Sequence, residues 1–288
     1  MRITNEMGLP QPFVSAVEKE YTYKPKRYSV TSILKGPREA ILQRRHDDEI
    51  TSDVSDMVWA LFGTAVHSVL ENAQETDDQL KENKIVVEMP NGYELSGIFD
   101  LYDDSTGTVT DYKTASVWKV KFGDFDDWRR QTLIYCWMLR KIGFDAHRGE
   151  IVAILKDHSK TKAKVGDHPP LPVYRISWDF TDEDIEAMGK WLVERFKFIE
   201  KCEELPDDEL PMCSEEERWH KPDKWAVMKK GRKSALKLFD SAEDAQERLD
   251  SLPSGHYIEF RPGVDSKCSE YCSAAPFCSH YREMNGGE

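Results

Sequence analysis

The chain has 288 residues and carries 40 Lys and Arg against 53 Asp and Glu, a formal net charge of −13. That balance excludes a broad basic surface coating duplex nucleic acid, though a local basic patch still binds it. No apolar run approaches the roughly 20 residues that span a bilayer, no repeat of 20–50 residues is evident, and the length suits one core plus a small module.

Residues 1–27 read as an N-terminal arm, with Met1 to Glu20 partly flexible. The arm lacks a basic start followed by an apolar core, which points to a cytoplasmic protein with reduced thiols. Residues 30–45 read as helical, with Thr31 or Ser32 as start signals. Asp56 to Gln74 has helical periodicity, with an apolar stripe of Val58, Leu61, Phe62, Ala65, Val66, Val69 and Leu70. His67 lies in this helix, with Glu71 one turn later. Ile85–Met89, Glu94–Asp100 and Thr108–Lys113 read as strands, the last two joined by the turn Asp103-Asp104-Ser-Thr-Gly107. A helix from about Trp128 to Lys141 puts Gln131 and Tyr135 on one face. Ile151–Leu155 fits a buried strand, Val173–Trp178 another, and Asp182–Glu203 a long amphipathic helix. Pro206-Asp-Asp-Glu-Leu-Pro211 marks a boundary, so 28–205 forms the core and 206–288 a small α+β module. In that module Trp225–Lys229, Ala235–Phe239 and Tyr257–Phe260 read as strands, and Ser241 caps a helix between the last two.

Side chains alternate faces along a strand, so Asp111 and Lys113 point the same way, and the hairpin brings Asp100 beside them. Two carboxylates can hold a divalent ion, and the ammonium offsets their repulsion of a phosphodiester. A D-x-K triplet alone is usually a solvated charged face. The order of a helix with His67, a strand with Asp100, a strand with Asp111 and Lys113, and a helix with Gln131 and Tyr135 is what raises it above chance. A neutral imidazole suits a metal site, with Glu71 as a direct or outer partner.

Gly63-Thr-Ala-Val-His67-Ser-Val-Leu-Glu71, Gly97-Ile-Phe-Asp100, Asp111-Tyr-Lys113-Thr and Gln131-Thr-Leu-Ile-Tyr135 together resemble the successive motifs of RecB-type nucleases in the PD-(D/E)XK superfamily. The resemblance implies a restriction-endonuclease-like α/β core with a central mixed sheet flanked by helices. It further implies that His67, Asp100 and Asp111 ligate Mg²⁺ or Mn²⁺ with the backbone carbonyl of Tyr112. Lys113 would position or activate the water, and Gln131 and Tyr135 would orient the DNA backbone or the lysine. The implied activity is metal-dependent hydrolysis of DNA, as an exonuclease on single strands or ends, in recombination, repair or phage DNA metabolism beside a strand-annealing protein. A phage-encoded protein would work in the host cytoplasm. The second class is a DNA-binding adaptor subunit with little activity alone, and the third is cleavage of RNA.

The tail Cys268-Ser-Glu-Tyr-Cys272-Ser-Ala-Ala-Pro-Phe-Cys278 sets three thiols close together, which suits a metal or iron–sulfur site, with a disulfide or inert thiols as the other readings. Cys136 and Cys202 lie in helical patterns and read as ordinary buried thiols. In the four-cysteine branch of the family, which includes the exonucleases of CRISPR adaptation, a fourth cysteine precedes the core in a setting resembling Ser29 to Arg38. Here Gly36 stands in its place, before Pro37. Cys213 is the preferred replacement for a 4Fe-4S cluster, and His280 would instead favour zinc.

The stretch from Arg218 to Lys237 interleaves cations with tryptophans: Trp219, Lys224, Trp225, Lys229, Lys230, Arg232 and Lys233 form a candidate surface for single-stranded nucleic acid. The alternative is a solvated hairpin whose tryptophans are core. Lys24, Lys26, Arg27, Lys35 and Arg38 form a second basic cluster that would guide the strand to the site, and Arg44-Arg45-His46 adds charge nearby.

Overall fold

The computed structural model describes residues 1–18 and 23–286. The chain divides into two compact units, Met1–Pro206 and Asp207–Glu288.

The first unit begins with β1 (Arg2–Thr4), α1 (Gln11–Val17), β2 (Arg27–Ser29), α2 (Val30–Ile33), α3 (Pro37–Arg45), β3 (Thr51–Asp53) and α4 (Val58–Glu71). It continues through β4 (Gln79–Glu88), β5 (Glu94–Asp103), β6 (Thr108–Ala115), α5 (Val117–Phe122), α6 (Asp126–Lys141), β7 (Arg148–Leu155), α7 (Lys160–Lys164), β8 (Val173–Asp179) and α8 (Asp182–Glu203). Six strands form one mixed sheet in the order β2-β5-β6-β7-β8, with β4 also on β5. The pair β6–β7 is parallel and in register from Thr108↔Arg148 to Ala115↔Leu155. The core packs Tyr28, Leu95, Phe99 and Tyr102 against the inner faces of α6 and α8, including Ile134, Met138, Leu192 and Phe196. The long α8 starts in a capping box in which Thr181 and Asp184 satisfy each other's backbone N–H groups.

How β5 shares its edges creates the site. Because β4 runs antiparallel along β5 from Glu94 to Asp103, β2 and β6 must share the other edge. There β2 takes Glu94–Ser96 and β6 takes Leu101–Asp103. Gly97 to Asp100 thus have no ladder partner on that edge, and side chains fill the gap. Tyr135 donates its hydroxyl to the Ile98 carbonyl at 2.7 Å, and Asp100 Oδ2 accepts the Tyr112 N–H at 2.6 Å. Gly97 is required at this point: a Cβ there would lie 2.6 Å from the Tyr135 ring and 2.9 Å from Val30.

Two expectations need correction. The 30–45 helix is broken, because Gly36 is an N-cap and Pro37 opens α3 at its first position. Asp100 does not end its strand, since β5 continues to Asp103. Within the N-terminal arm β1 pairs parallel with β3, and α1 follows, while residues 19 and 20 lie outside the described set.

The second unit comprises α9 (Glu215–Arg218), β9 (His220–Lys221), β10 (Lys224–Lys229), β11 (Lys237–Phe239), α10 (Ala242–Asp250), β12 (His256–Arg261), β13 (Val264–Asp265), α11 (Ser266–Glu270) and α12 (Ser279–Met284). Its larger sheet has the order β11-β10-β12, all antiparallel to β10, and β13 pairs with β9.

Candidate active site and cysteine centre

Asp100 and Asp111 are both buried, at 8% and 4% exposure, so their charge is not dissipated by water. His67 Nδ1 lies 3.1 Å from Asp100 Oδ1 and 3.7 Å from Glu82 Oε1. His67, Glu82 and Asp100 offer three ligand atoms within 4.8 Å of one another. Lys113 Nζ lies 2.7 Å from Asp111 Oδ2 and donates to Gln131 Oε1 at 2.9 Å, while Gln131 Nε2 donates to Asp111 Oδ1 at 2.9 Å. The amide orientation is dictated by its neighbours, because an ammonium only donates and a carboxylate only accepts. Gln131 therefore holds lysine and aspartate together. Tyr135 is buried and serves the backbone of β5, so it positions the strand carrying Asp100.

Glu82 is the residue that sequence reasoning missed. It sits opposite Asp100, between the register pairs Lys81↔Leu101 and Asn83↔Phe99, and has a left-handed φ of 48°. The run Gln79-Leu-Lys-Glu-Asn-Lys84 gives no signal that separates Glu82 from a solvated strand edge. Glu71, expected near the histidine, lines the same cleft in front of α4 as His67. That cleft has a volume of about 600 Å³ and is bounded by Ala60, Gly63, Thr64, His67, Ser68, Glu71 and Glu82. The small side chains of this α4 face leave the space open. The apolar stripe expected on α4 does not enter the core, for no residue of the helix is buried.

The shifted groups of the site all move toward holding a proton. The hydrogen bond to Asp100 raises the His67 pKa. Burial raises the Glu82 carboxyl, and the charge of Asp100 raises it further. Burial likewise raises the Asp111 carboxyl against the pull of Lys113. Such a site is short of positive charge. Asp111 Oδ2 is buried without a hydrogen bond of good geometry, despite the nearby ammonium. One imidazole nitrogen and several carboxylate oxygens form a donor set suited to Mg²⁺ or Mn²⁺. The residues present thus fit a divalent cation.

In the second unit, Asp265 is buried and accepts from Arg218, from His220 Nδ1 at 2.7 Å and from His280 Nε2 at 2.7 Å. Burial would push its carboxyl up, but these donors outweigh burial and hold it at about 2. Asp265, Cys268 and His280 place their ligand atoms within 4.8 Å of one another. Burial pushes the Cys268 thiol up to about 11, and the charges of Asp265, Cys213 and Cys278 add to this. Cys213 therefore stands within electrostatic reach of Cys268, and His280 meets Asp265 through Nε2. Cys272 follows α11, whose last turn its N–H closes onto the Lys267 carbonyl at 2.9 Å. Cys136 and Cys202 are buried in helices α6 and α8.

The expected basic residues divide. Lys229, Lys230, Arg232 and Lys233 are exposed around the turn after β10. Lys224 pairs with Asp240. Trp225 is half-buried, 5.2 Å from the Phe260 ring, and Trp219 is exposed beside Tyr271. In the first unit Lys35 bonds Gln43 at 2.8 Å. Arg38 is 5% exposed, which contradicts its expected role as a surface guide for DNA. Pro37 and Ala40 are buried beside it in α3, so the chain direction turns this face inward. Arg44 donates to the Arg27 carbonyl at 2.7 Å and covers the Tyr28 ring, so that charge ties β2 to α3.

Comparison with known proteins places this geometry. Residues 75–279 match the profile of the PD-(D/E)XK nuclease superfamily, a span that begins after His67. Among solved structures, SSO0001 is 17% identical, with 62% of this chain and 80% of that chain covered and a TM-score of 0.43. A phage-related exonuclease from Haemophilus somnus 129PT is 12% identical, with 58% and 73% covered and a TM-score of 0.30. LHK-Exo, solved in complex with dAMP, is 11% identical, with 61% and 92% covered and a TM-score of 0.35. No curated protein matches the chain. With most of its length matched, and with Asp100, Asp111 and Lys113 converging where β5 and β6 part, the chain belongs to the PD-(D/E)XK nuclease superfamily.

Proposed function

We propose that the protein is a divalent-metal-dependent deoxyribonuclease that degrades single-stranded DNA or DNA ends as an exonuclease. The observation that carries this reading is the Asp111–Gln131–Lys113 network, built on the buried Asp111, beside the His67, Glu82 and Asp100 cluster. His67, Asp100 and Asp111, with the Tyr112 carbonyl and Glu82 alongside, would hold Mg²⁺ or Mn²⁺, which neutralises phosphate charge and acidifies water. The chain's own residues do the rest. Lys113 presents a fixed ammonium to the attacking water and to the charge that grows on the phosphoryl oxygens. Gln131 keeps that ammonium from swinging into solvent. Asp100 anchors the Tyr112 amide and so fixes the backbone between the two acidic strands. In the hydrolysis, a bond forms between the water oxygen and phosphorus as the bond to the leaving sugar oxygen breaks.

The reading places the cysteines in a 4Fe-4S cluster held by Cys213, Cys268, Cys272 and Cys278, with zinc as the alternative metal. The charge of Cys213 acting on Cys268 supports Cys213 as fourth ligand, and the grouping of His280 with Asp265 and Cys268 supports the zinc alternative. Cytoplasmic action beside a strand-annealing protein in recombination, repair or phage DNA metabolism completes the proposal.

The test uses end-labelled linear single-stranded DNA, closed circles and matched RNA with Mg²⁺ or Mn²⁺. Linear DNA should be degraded, circles and RNA spared, and the Lys113→Ala protein inactive. Equal cutting of circles would sink the exonuclease assignment. Retained DNA binding with no metal-dependent cleavage by the unaltered protein would favour the adaptor role. Protein purified without air should be brown and contain iron and sulfide. A colourless protein with one zinc, disrupted by His280→Ala and not by Cys213→Ser, would replace the cluster.

A further inference from the structure

The outer side of α4 carries large apolar side chains that the core does not use. Trp59 is 58% exposed and Phe62 39%, their rings 6.4 Å apart and edge to face. Lys156, just past the end of β7, holds its ammonium 4.1 Å from the Trp59 ring centre. Among the described residues Lys156 has no carboxylate partner. A second pair lies on α5, where Trp118 and Phe122 are 49% and 77% exposed and stack at 5.9 Å. Lys121 covers Trp118 at 4.5 Å, though it also bonds Asp167. The two pairs are mechanically linked. Asp157 accepts from Ser116 Oγ at 2.6 Å and from the Val117 N–H at 2.7 Å, which pins the start of α5 beside Lys156.

The α4 pair adjoins the catalytic cleft, and the α5 pair begins with Trp118, shortly after Thr114 in the chain. Trp59 and Phe62 are sequence neighbours of Ala60 and Gly63, which line the cleft. The Cβ position of Gly63 is 3.5 Å from Thr114, the residue after Lys113. Along α4, Trp59 is about 12 Å from His67.

We infer that Trp59 with Phe62 and Lys156, followed by Trp118 with Phe122, form a stacking platform that receives the unpaired bases of a single strand entering the cleft. The inference rests on the proposed nuclease function and names how its substrate is held. An exposed indole offers a face to any base, and an ammonium beside it meets the adjoining phosphate. A duplex keeps its base faces stacked inside and would gain only the charge. The chemistry therefore favours single strands over duplex, on this surface and without help from the basic module.

The experiment measures binding of 2-aminopurine oligonucleotides to the full chain carrying Lys113→Ala, with Ca²⁺ present. Adding Trp59→Ala should weaken single-strand binding about tenfold and abolish fluorescence quenching, while Trp59→Phe restores most of both. Trp118→Ala should act in the same direction. Binding of a blunt duplex should change less than about twofold. Single-strand binding unaltered by both alanine variants would overturn the platform, as would an equal loss for duplex. In protein that retains Lys113, with Mg²⁺ or Mn²⁺ present, hydrolysis of bis(p-nitrophenyl) phosphate reads the catalytic centre alone and should be unaffected by Trp59→Ala. Failure of that hydrolysis in the unaltered protein would count against the nuclease reading, whereas loss of it only in Trp59→Ala would overturn the platform.

Discussion

The two units are held together by different physics. In the first, large aromatic and aliphatic side chains such as Tyr28, Phe99, Tyr102, Met138 and Phe196 are wholly enclosed. In the second, the buried hydrophobic residues among those described are Leu210, Ala226, Val227, Met228, Ala245, Ala274 and Ala275. Alanines remove little apolar surface from water, so this set contributes far less than the first core. At the centre of the second unit stands a polar knot instead: Asp265 gripped by Arg218, His220 and His280, with the cysteines around it. A unit so poor in apolar burial needs cross-links, and the proposed metal or cluster would supply them. The first unit needs no such aid, and the metal proposed for it would serve chemistry rather than folding.

The sharpest way to break this comparison is to remove the metal proposed for the tail. Cys268→Ser, or exhaustive chelation, should abolish the cooperative unfolding of the second unit, since structural metals contribute about 10 kcal/mol or more in small domains. Calorimetry should show the transition of the first unit unmoved; loss of both transitions together would refute the division. Next in size is Lys113→Ala. It should lower cleavage by about a thousandfold, near 4 kcal/mol in the barrier, with the circular dichroism spectrum unchanged. Activity within about tenfold of the original would remove Lys113 from the chemistry. Gly97→Ala drives a methyl group into the Tyr135 ring and Val30. It should cost about 1–3 kcal/mol in urea unfolding of the first unit and leave the second unit untouched. The smallest effect is expected for Thr181→Ala, which deletes the α8 capping box for about 1 kcal/mol, read as a lower urea midpoint.

The comparison also explains what could be read from sequence. His67, Asp100, Asp111, Lys113 and Gln131 were legible because strand alternation and helix periodicity fix which side chains share a face. The order of those elements then narrowed the chemistry. Glu82 was not legible, because it lies among charged neighbours on a strand and reaches the site only through a register with Asp100. The fate of α4 was hidden for a related reason. Periodicity defines an apolar stripe but not whether another element will cover it, and here none of its residues is buried. The strand Arg2–Thr4 has too few residues for periodicity, and its partner Thr51–Asp53 is remote in sequence. By contrast, the break before α3 was written in Gly36-Pro37, where a proline starts a helix rather than continuing one.

The backbone at Glu82 sets two kinds of selection against each other. A non-glycine residue held at a φ of 48° costs about 1–2 kcal/mol relative to ordinary strand geometry. Glycine would relieve that cost and would also delete the carboxylate facing His67. A library of variants screened for heat resistance should therefore accumulate Glu82→Gly, and the same library screened for DNA cleavage should discard it. Position 82 is where the two screens would diverge first, and the direction of drift there would reveal which property a lineage of such proteins had been chosen for.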